Sequence, residues 1–153
     1  MEVKLAKTAG FCFGVKRAVD TVYKEAEKNS ESIYTFGPII HNEQVVADLE
    51  KNGVFVVNTI EELKALKPGT TVIVRSHGVG KNIYDLMEEC GLNIVDATCP
   101  FVKKIHRIAE RESKAGKRII IIGNDKHPEV EGIKGWVCGN ATVIETFDEA
   151  HGF

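Results

Sequence analysis

Five cysteine and histidine side chains recur at equivalent places in this sequence: each follows a β-like run by a few residues, and most stand where a helix is about to begin. Val3–Lys7 leads to Cys12, Ile33–Phe36 to His41, Thr71–Arg75 to His77, Ile94–Asp96 to Cys99, and Arg118–Ile122 to His127. Open parallel sheets bind ligands at the carboxyl ends of their strands, so residues delivered there share one rim of the fold. Thiol sulfur and imidazole nitrogen gathered on that rim point to metal or redox chemistry joined to anion binding.

Cys99 lies in Asp96-Ala97-Thr98-Cys99-Pro100. Proline favours the first helical position, which puts Cys99 at the helix N-cap, where the dipole and free amides stabilise a thiolate. Cys12 lies in Gly10-Phe11-Cys12-Phe13-Gly14, where glycines permit close approach to a ligand and the phenylalanines could shield the sulfur. For both, a small packed cysteine is the structural alternative. Cys90 completes an apolar helical stripe and reads as core, and Cys138, after Trp136-Val137, also reads as packed.

His41, His77 and His127 each follow a strand and precede a helix. Imidazolium donors beside the unpaired amides of helix N-termini suit phosphate or diphosphate. One such histidine is more often a cap; three in equivalent places weaken that alternative. Glu129, just after Pro128, sits in a first helical turn, where it either complements the dipole or donates a proton close to a reacting centre. Glu131 reads as an ordinary exposed acid, and His106 and His151 receive no role. A phosphate-cradling loop ending in Lys-Ser/Thr, a dinucleotide fingerprint, Cys-x-x-Cys and His-Glu-x-x-His are all missing.

The elements that must position these residues are legible as periodicity. Val15, Ala18, Val19, Val22, Tyr23 and Ala26 form a single helical stripe after Cys12. A second helix spans about residues 42–52, stopped by Gly53, and Val54–Val57 follows as a strand. Ile83, Leu86, Met87 and Cys90 mark another helix closed by Gly91; Val102, Ile105 and Ala109 mark one closed by Gly116. Thr71–Arg75 and Arg118–Ile122 are nearly continuous apolar runs, as expected of central strands covered on both faces. Strand and helix alternate throughout, which implies an α/β fold with mainly parallel sheets and helices on both faces. Thr142–Glu145 is a last strand, after which a helix starts and the chain stops at Phe153, as if cut.

At 153 residues and 43% hydrophobic content the chain can bury a real core. Its formal charge is −2, from 20 basic and 22 acidic residues mixed along the sequence, so no nucleic-acid footprint is visible. No apolar run approaches a membrane span and the N-terminus carries no leader pattern, so a cytoplasmic location without membrane contact is expected. The four cysteines are too sparse for a disulfide framework and are expected to be reduced.

Five stretches in order, Gly-Phe-Cys12-Phe-Gly-Val-Lys-Arg-Ala, Gly-Pro-Ile-Ile-His41-Asn, Arg-Ser-His77-Gly-Val, Asp-Ala-Thr-Cys99-Pro and His127-Pro-Glu129-Val-Glu-Gly, resemble the 4-hydroxy-3-methylbut-2-enyl diphosphate reductases. That family performs a two-electron reductive dehydroxylation giving isopentenyl and dimethylallyl diphosphate in the non-mevalonate isoprenoid pathway. The resemblance implies an iron–sulfur cluster, [4Fe-4S] in the family, at the centre of three α/β domains in a pseudo-threefold trefoil. It implies Cys12 and Cys99 as cluster ligands, His41, His77 and His127 as diphosphate ligands, Glu129 as proton relay, and a ferredoxin or flavodoxin as electron donor. The third cysteine, a threonine and a serine/asparagine group of the family lie downstream of this chain, and Cys138 does not match the third-ligand position. The chain then corresponds to about half a family member: an N-terminal strand and cysteine loop (1–13), a first domain (14–97) and an incomplete second domain (98–153), inactive alone. A zinc-dependent hydrolase using the same Cys and His ligands, and a non-enzymatic α/β binding module, are the competing expectations.

Overall fold

Strand residues that alternate between two faces build the larger of two sheets. The structure, a computed structural model, describes residues 2–28 and 32–151; the abrupt ending expected at Phe153 lies outside the described residues. Four strands, β1 (Ile33–Phe36), β2 (Val54–Val57), β3 (Thr71–Val74) and β4 (Asn93–Asp96), pair in parallel in the order β2-β1-β3-β4. Ile33, Val54 and Ile73 point to one side, where α1 (Phe13–Lys28) and α2 (Glu43–Lys51) cover them with Ala18, Val19, Val22 and Leu49. Val57, Val72 and Val74 point to the other, against Leu63 of α3 (Ile60–Lys64) and Met87 of α4 (Lys81–Glu89). Both faces are thus buried by helices, and β3, between β1 and β4, is a central strand as its composition predicts.

The helix limits follow their local chemistry. Asn42 caps α2 by accepting from the Val45 amide at 3.1 Å. Gly53, Gly91 and Gly116 follow helix ends with φ of +79°, +66° and +79°, so the predicted stops hold. Helix α3, absent from the periodicity analysis, is a short turn held by a capping box in which Thr59 and Glu62 satisfy each other's backbone amides.

The second sheet pairs β5 (Ile119–Ile122) with β6 (Ala141–Ile144) in parallel, after α5 (Pro100–Lys114) and around α6 (Pro128–Lys134); α7 (Phe147–Ala150) follows. Two sequence expectations are corrected here. β5 is not covered on both faces: Ile120 is 48% and Ile122 86% exposed, because among the described residues its only partner is β6 and no element packs over that side. Val3–Lys7 is not a strand: residues 2–6 have no regular structure, and Val3 and Leu5 lie 84% and 87% exposed. An extended apolar run gains little without a neighbouring strand, and none of the described strands pairs with it. No described helix is long and apolar enough to cross a membrane.

Candidate functional site

The strand order reverses between β1 and β3, since β2 lies outward of one and β4 outward of the other. Loops leaving neighbouring strands at such a point diverge and open a crevice at the carboxyl edge. The β1 loop carries His41 and the β3 loop carries His77, and their ring centroids lie 4.7 Å apart. Ser76 ties the two loops together, its amide and hydroxyl donating to the Ile39 carbonyl at 3.4 and 3.0 Å. His127, the N-cap of α6, brings a third ring to 6.2 Å from His77, nearly edge-on. The three histidines singled out in the sequence therefore converge across both sheets.

Their hydrogen bonding leaves donors free. The Glu129 amide donates to Nδ1 of His127 at 3.2 Å, which places the proton of the neutral ring on Nε2. His77 Nδ1 and Arg75 Nε are buried without a partner. Burial, then the charges of His41, Arg75 and His127, hold the His77 pKa down to about 4. Burial likewise lowers the Arg75 pKa, against an opposing pull from Glu131, and its guanidinium lies over Gly37, where a β-carbon would collide with it. Burial and the neighbouring positive charge both disfavour a further proton on His77. Glu129, half-buried in the first turn of α6, borders this cluster through its bond to His127.

The cysteines cap the neighbouring helices. Cys99 is the N-cap of α5, and its amide donates to the Ser76 carbonyl at 2.9 Å, so it adjoins His77. Asp96 shapes this turn by accepting from the Thr98 amide at 2.9 Å and pairing with Lys103 at 2.6 Å. Burial pushes the Asp96 carboxyl up, but Lys103 and the Thr98 donors outweigh it and hold it below the usual range. Cys12 begins α1, its carbonyl accepting from the Lys16 amide at 2.9 Å. Two residues on, Gly14 meets the Cys99 thiol so closely that a β-carbon there would lie 2.5 Å from Sγ. Arg17 adds a second tie from α1, donating to the Thr98 carbonyl at 3.1 Å.

Two thiols that begin adjacent helices are donors of the kind a thiophilic centre takes. They do not complete one: among the described residues no three His, Cys, Asp or Glu side chains are grouped to hold a metal ion. Cys12 is exposed and its phenylalanine neighbours do not wrap it, Phe11 and Phe13 being 48% and 67% exposed. All four cysteines are free thiols. Cys90 packs against the α4 side of the core as its stripe predicts, whereas Cys138 is exposed, its amide bonded to Ser113 Oγ at 2.9 Å.

Sequence reasoning passed over two residues. By pattern Arg75 is only the end of a strand, and the signal it offers is a basic residue two before His77. His106, to which the pattern gives no role, is buried, 3% exposed, and stacks on Trp136 at 5.5 Å and 19°. His151 does only local work, its ring packed on Phe147 and its Nδ1 3.1 Å from the Phe147 carbonyl.

Imidazoles over the reversal point of a parallel sheet, beside cysteine-capped helices, define an α/β protein with its histidine cluster at the carboxyl rim of its strands, the edge where such folds open a crevice. The family model of the LytB protein matches residues 3–152, and the chain belongs to that family. It is 48% identical over 151 residues to the 4-hydroxy-3-methylbut-2-enyl diphosphate reductase of Caldanaerobacter subterraneus subsp. tengcongensis, covering 98% of this chain and 52% of that protein. To the enzyme of the same name from Alkaliphilus oremlandii it is 49% identical over 152 residues, 99% of this chain and 53% of the relative. Among solved structures, one of (E)-4-hydroxy-3-methyl-but-2-enyl diphosphate reductase, the terminal enzyme of the non-mevalonate pathway, superposes with a TM-score of 0.83 at 38% identity, over 96% of this chain and 52% of that one. The Plasmodium falciparum reductase superposes with 0.90 at 29% identity, over 96% of this chain and 45% of that one. The chain spans about half the length of the curated relatives it matches.

Proposed function

We propose that this chain is the diphosphate-binding half of a 4-hydroxy-3-methylbut-2-enyl diphosphate reductase. The convergence of His41, His77 and His127 over the β1–β3 reversal carries the proposal. The diphosphate sits among these imidazoles, taking hydrogen bonds from His127 Nε2 and from the idle nitrogens of His77 and Arg75, and its charge raises the His77 pKa. Binding of the remote diphosphate fixes the allylic alcohol end toward Cys99, one hydrogen bond away from the His77 loop. Glu129, placed beside His127, gives a proton to the departing hydroxyl, which leaves as water while two electrons and a second proton enter the allyl fragment. Cys12 and Cys99 would hold part of an iron–sulfur cluster, whose chemistry when bound would be delivery of those electrons from a ferredoxin or flavodoxin.

The relatives are about twice as long, and the remaining ligands belong to the part of the whole protein outside these residues. Residues 14–97 and 98–153 act as its first domain and part of its second, in a cytoplasmic setting. These residues alone bind the diphosphate and do not turn over substrate. Calorimetric titration of the chain with inorganic pyrophosphate tests the proposal. Replacing His41, His77 or His127 by Ala is expected to weaken binding about tenfold or more, the value of one charge-assisted hydrogen bond. Absence of pyrophosphate binding, or equal affinity in all three variants, would overturn it. Turnover by this chain alone would contradict its assignment as a half, and recovery of turnover on adding the complementary half of a relative would support it.

A further inference from the structure

His106 lies outside the cradle, yet it occupies the seam that sets the cradle's width. The loop after His77 and helix α6 meet almost without side chains. The Lys81 amide donates to the Gly135 carbonyl at 3.2 Å, and a β-carbon on Gly80 would lie 3.0 Å from Gly135 Cα. The His106 ring fills the remaining gap. A β-carbon on Gly78 would lie 2.6 Å from its Cε1, and one on Gly132 would lie 3.3 Å from its Nε2 and 3.7 Å from the His77 carbonyl oxygen. Its outer face stacks on Trp136, whose indole donates to the Val79 carbonyl at 2.9 Å and so locks the far side of the same loop. Nε2 is buried without a hydrogen-bond partner. A buried polar atom without a partner is costly, so this ring's place in the seam does not follow from its own hydrogen bonding. Burial holds the ring neutral, its pKa lowered to about 4, with Asp96 pulling upward and Lys103 downward.

We propose that His106 is a positioning residue: its stacked ring spaces α6 from the Ser76-His77-Gly78 loop and thereby fixes the 6.2 Å separation of His77 and His127 across which the diphosphate is held. This rests on the anion cradle proposed above. The sequence around it, an unremarked histidine on the inner side of α5, gives no sign of the role, because Gly78 and Gly132 reach it from two other elements.

The test uses this chain, pyrophosphate calorimetry and proton–proton cross-relaxation between histidine rings. His106→Ala is expected to weaken pyrophosphate binding about tenfold, in keeping with the sensitivity of positioned groups to displacements near 1 Å. It is also expected to lose the His77–His127 ring contact while keeping the His41–His77 contact, since those two rings lie on loops joined by Ser76. Simple loosening of the fold would weaken both contacts together, and that result, or unchanged affinity with both contacts intact, overturns the proposal. Should His106→Ala fail to fold, Gly132→Ala decides, because its β-carbon would press on the His106 ring from the α6 side. The same selective loss of the His77–His127 contact supports the proposal, and wild-type affinity and contacts overturn it. A wild-type chain that shows both ring contacts but no pyrophosphate binding refutes the cradle alone, leaving the contact measurements to judge His106.

Discussion

Replacing Gly14 by Ala asks whether the start of α1 packs directly on the Cys99 thiol. The added β-carbon would lie 2.5 Å from Cys99 Sγ and 3.1 Å from its Cβ. Ordinary carbon contacts begin at about 3.5 Å, so the thiol must retreat by roughly 1 Å. Cys99 has little freedom to do so, being the α5 cap and bonded through its amide to Ser76. Overpacking of this kind costs about 1–3 kcal/mol. Alanine recovers at most about 1 kcal/mol of helix propensity, and less in a first turn. The balance is a destabilisation of about 1–2 kcal/mol, against the gain that Gly→Ala gives in an open helix. Urea unfolding reads the stability, and the rate of Cys99 alkylation in a chain whose other cysteines are serine reads the displacement. A Gly14→Ala chain with equal or higher stability and an unchanged Cys99 alkylation rate would refute that contact.

Stability should also depend on pH in a defined window. His77 and His106 both have folded pKa values near 4, below the ordinary 6.5, so the unfolded chain binds more protons between those limits. Their contribution is complete above about pH 6.5, falls as the solution is acidified, and is lost below about 4. For His106, nearly sealed from water, the loss is on the order of 3 kcal/mol, and for half-exposed His77 solvent screening leaves a fraction of that. Urea midpoints from pH 7 to 4 check this, and a flat profile would contradict it. Thr59→Ala removes the α3 capping box and should cost about 1 kcal/mol in thermal unfolding without changing pyrophosphate affinity; altered affinity would show that α3 is coupled to the rim.

Much of the frame was readable because its signals are local. The stripe from Val15 to Ala26, the second helix beginning near Asn42 and the glycine stops each depend on neighbours within a turn or two, and each appears where periodicity puts it. The convergence of His41, His77 and His127 was foreseeable only as a shared rim; the strand order that brings β1 beside β3 is a long-range choice that periodicity does not encode. Where legibility failed, a missing neighbour was the cause. Val3–Lys7 has strand composition but pairs with no strand among the described residues, and β5 has a buried strand's composition with one face open. Arg75 and His106 escaped notice for the converse reason, since their surroundings are glycines from distant segments, which leave no periodic trace. The role of Cys138 is not explained by its exposed place after Trp136.

The central claim is that an anion completes the charge and hydrogen bonding of the His41–His77–His127 cluster. Pyrophosphate calorimetry at pH 7 in two buffers of different ionisation enthalpy measures it directly, because binding must pull a proton onto the His77 ring, which is neutral without the anion. Net uptake of up to about one proton, abolished in His77→Ala, is the expected result. Binding without proton uptake, or none at all, would contradict the account.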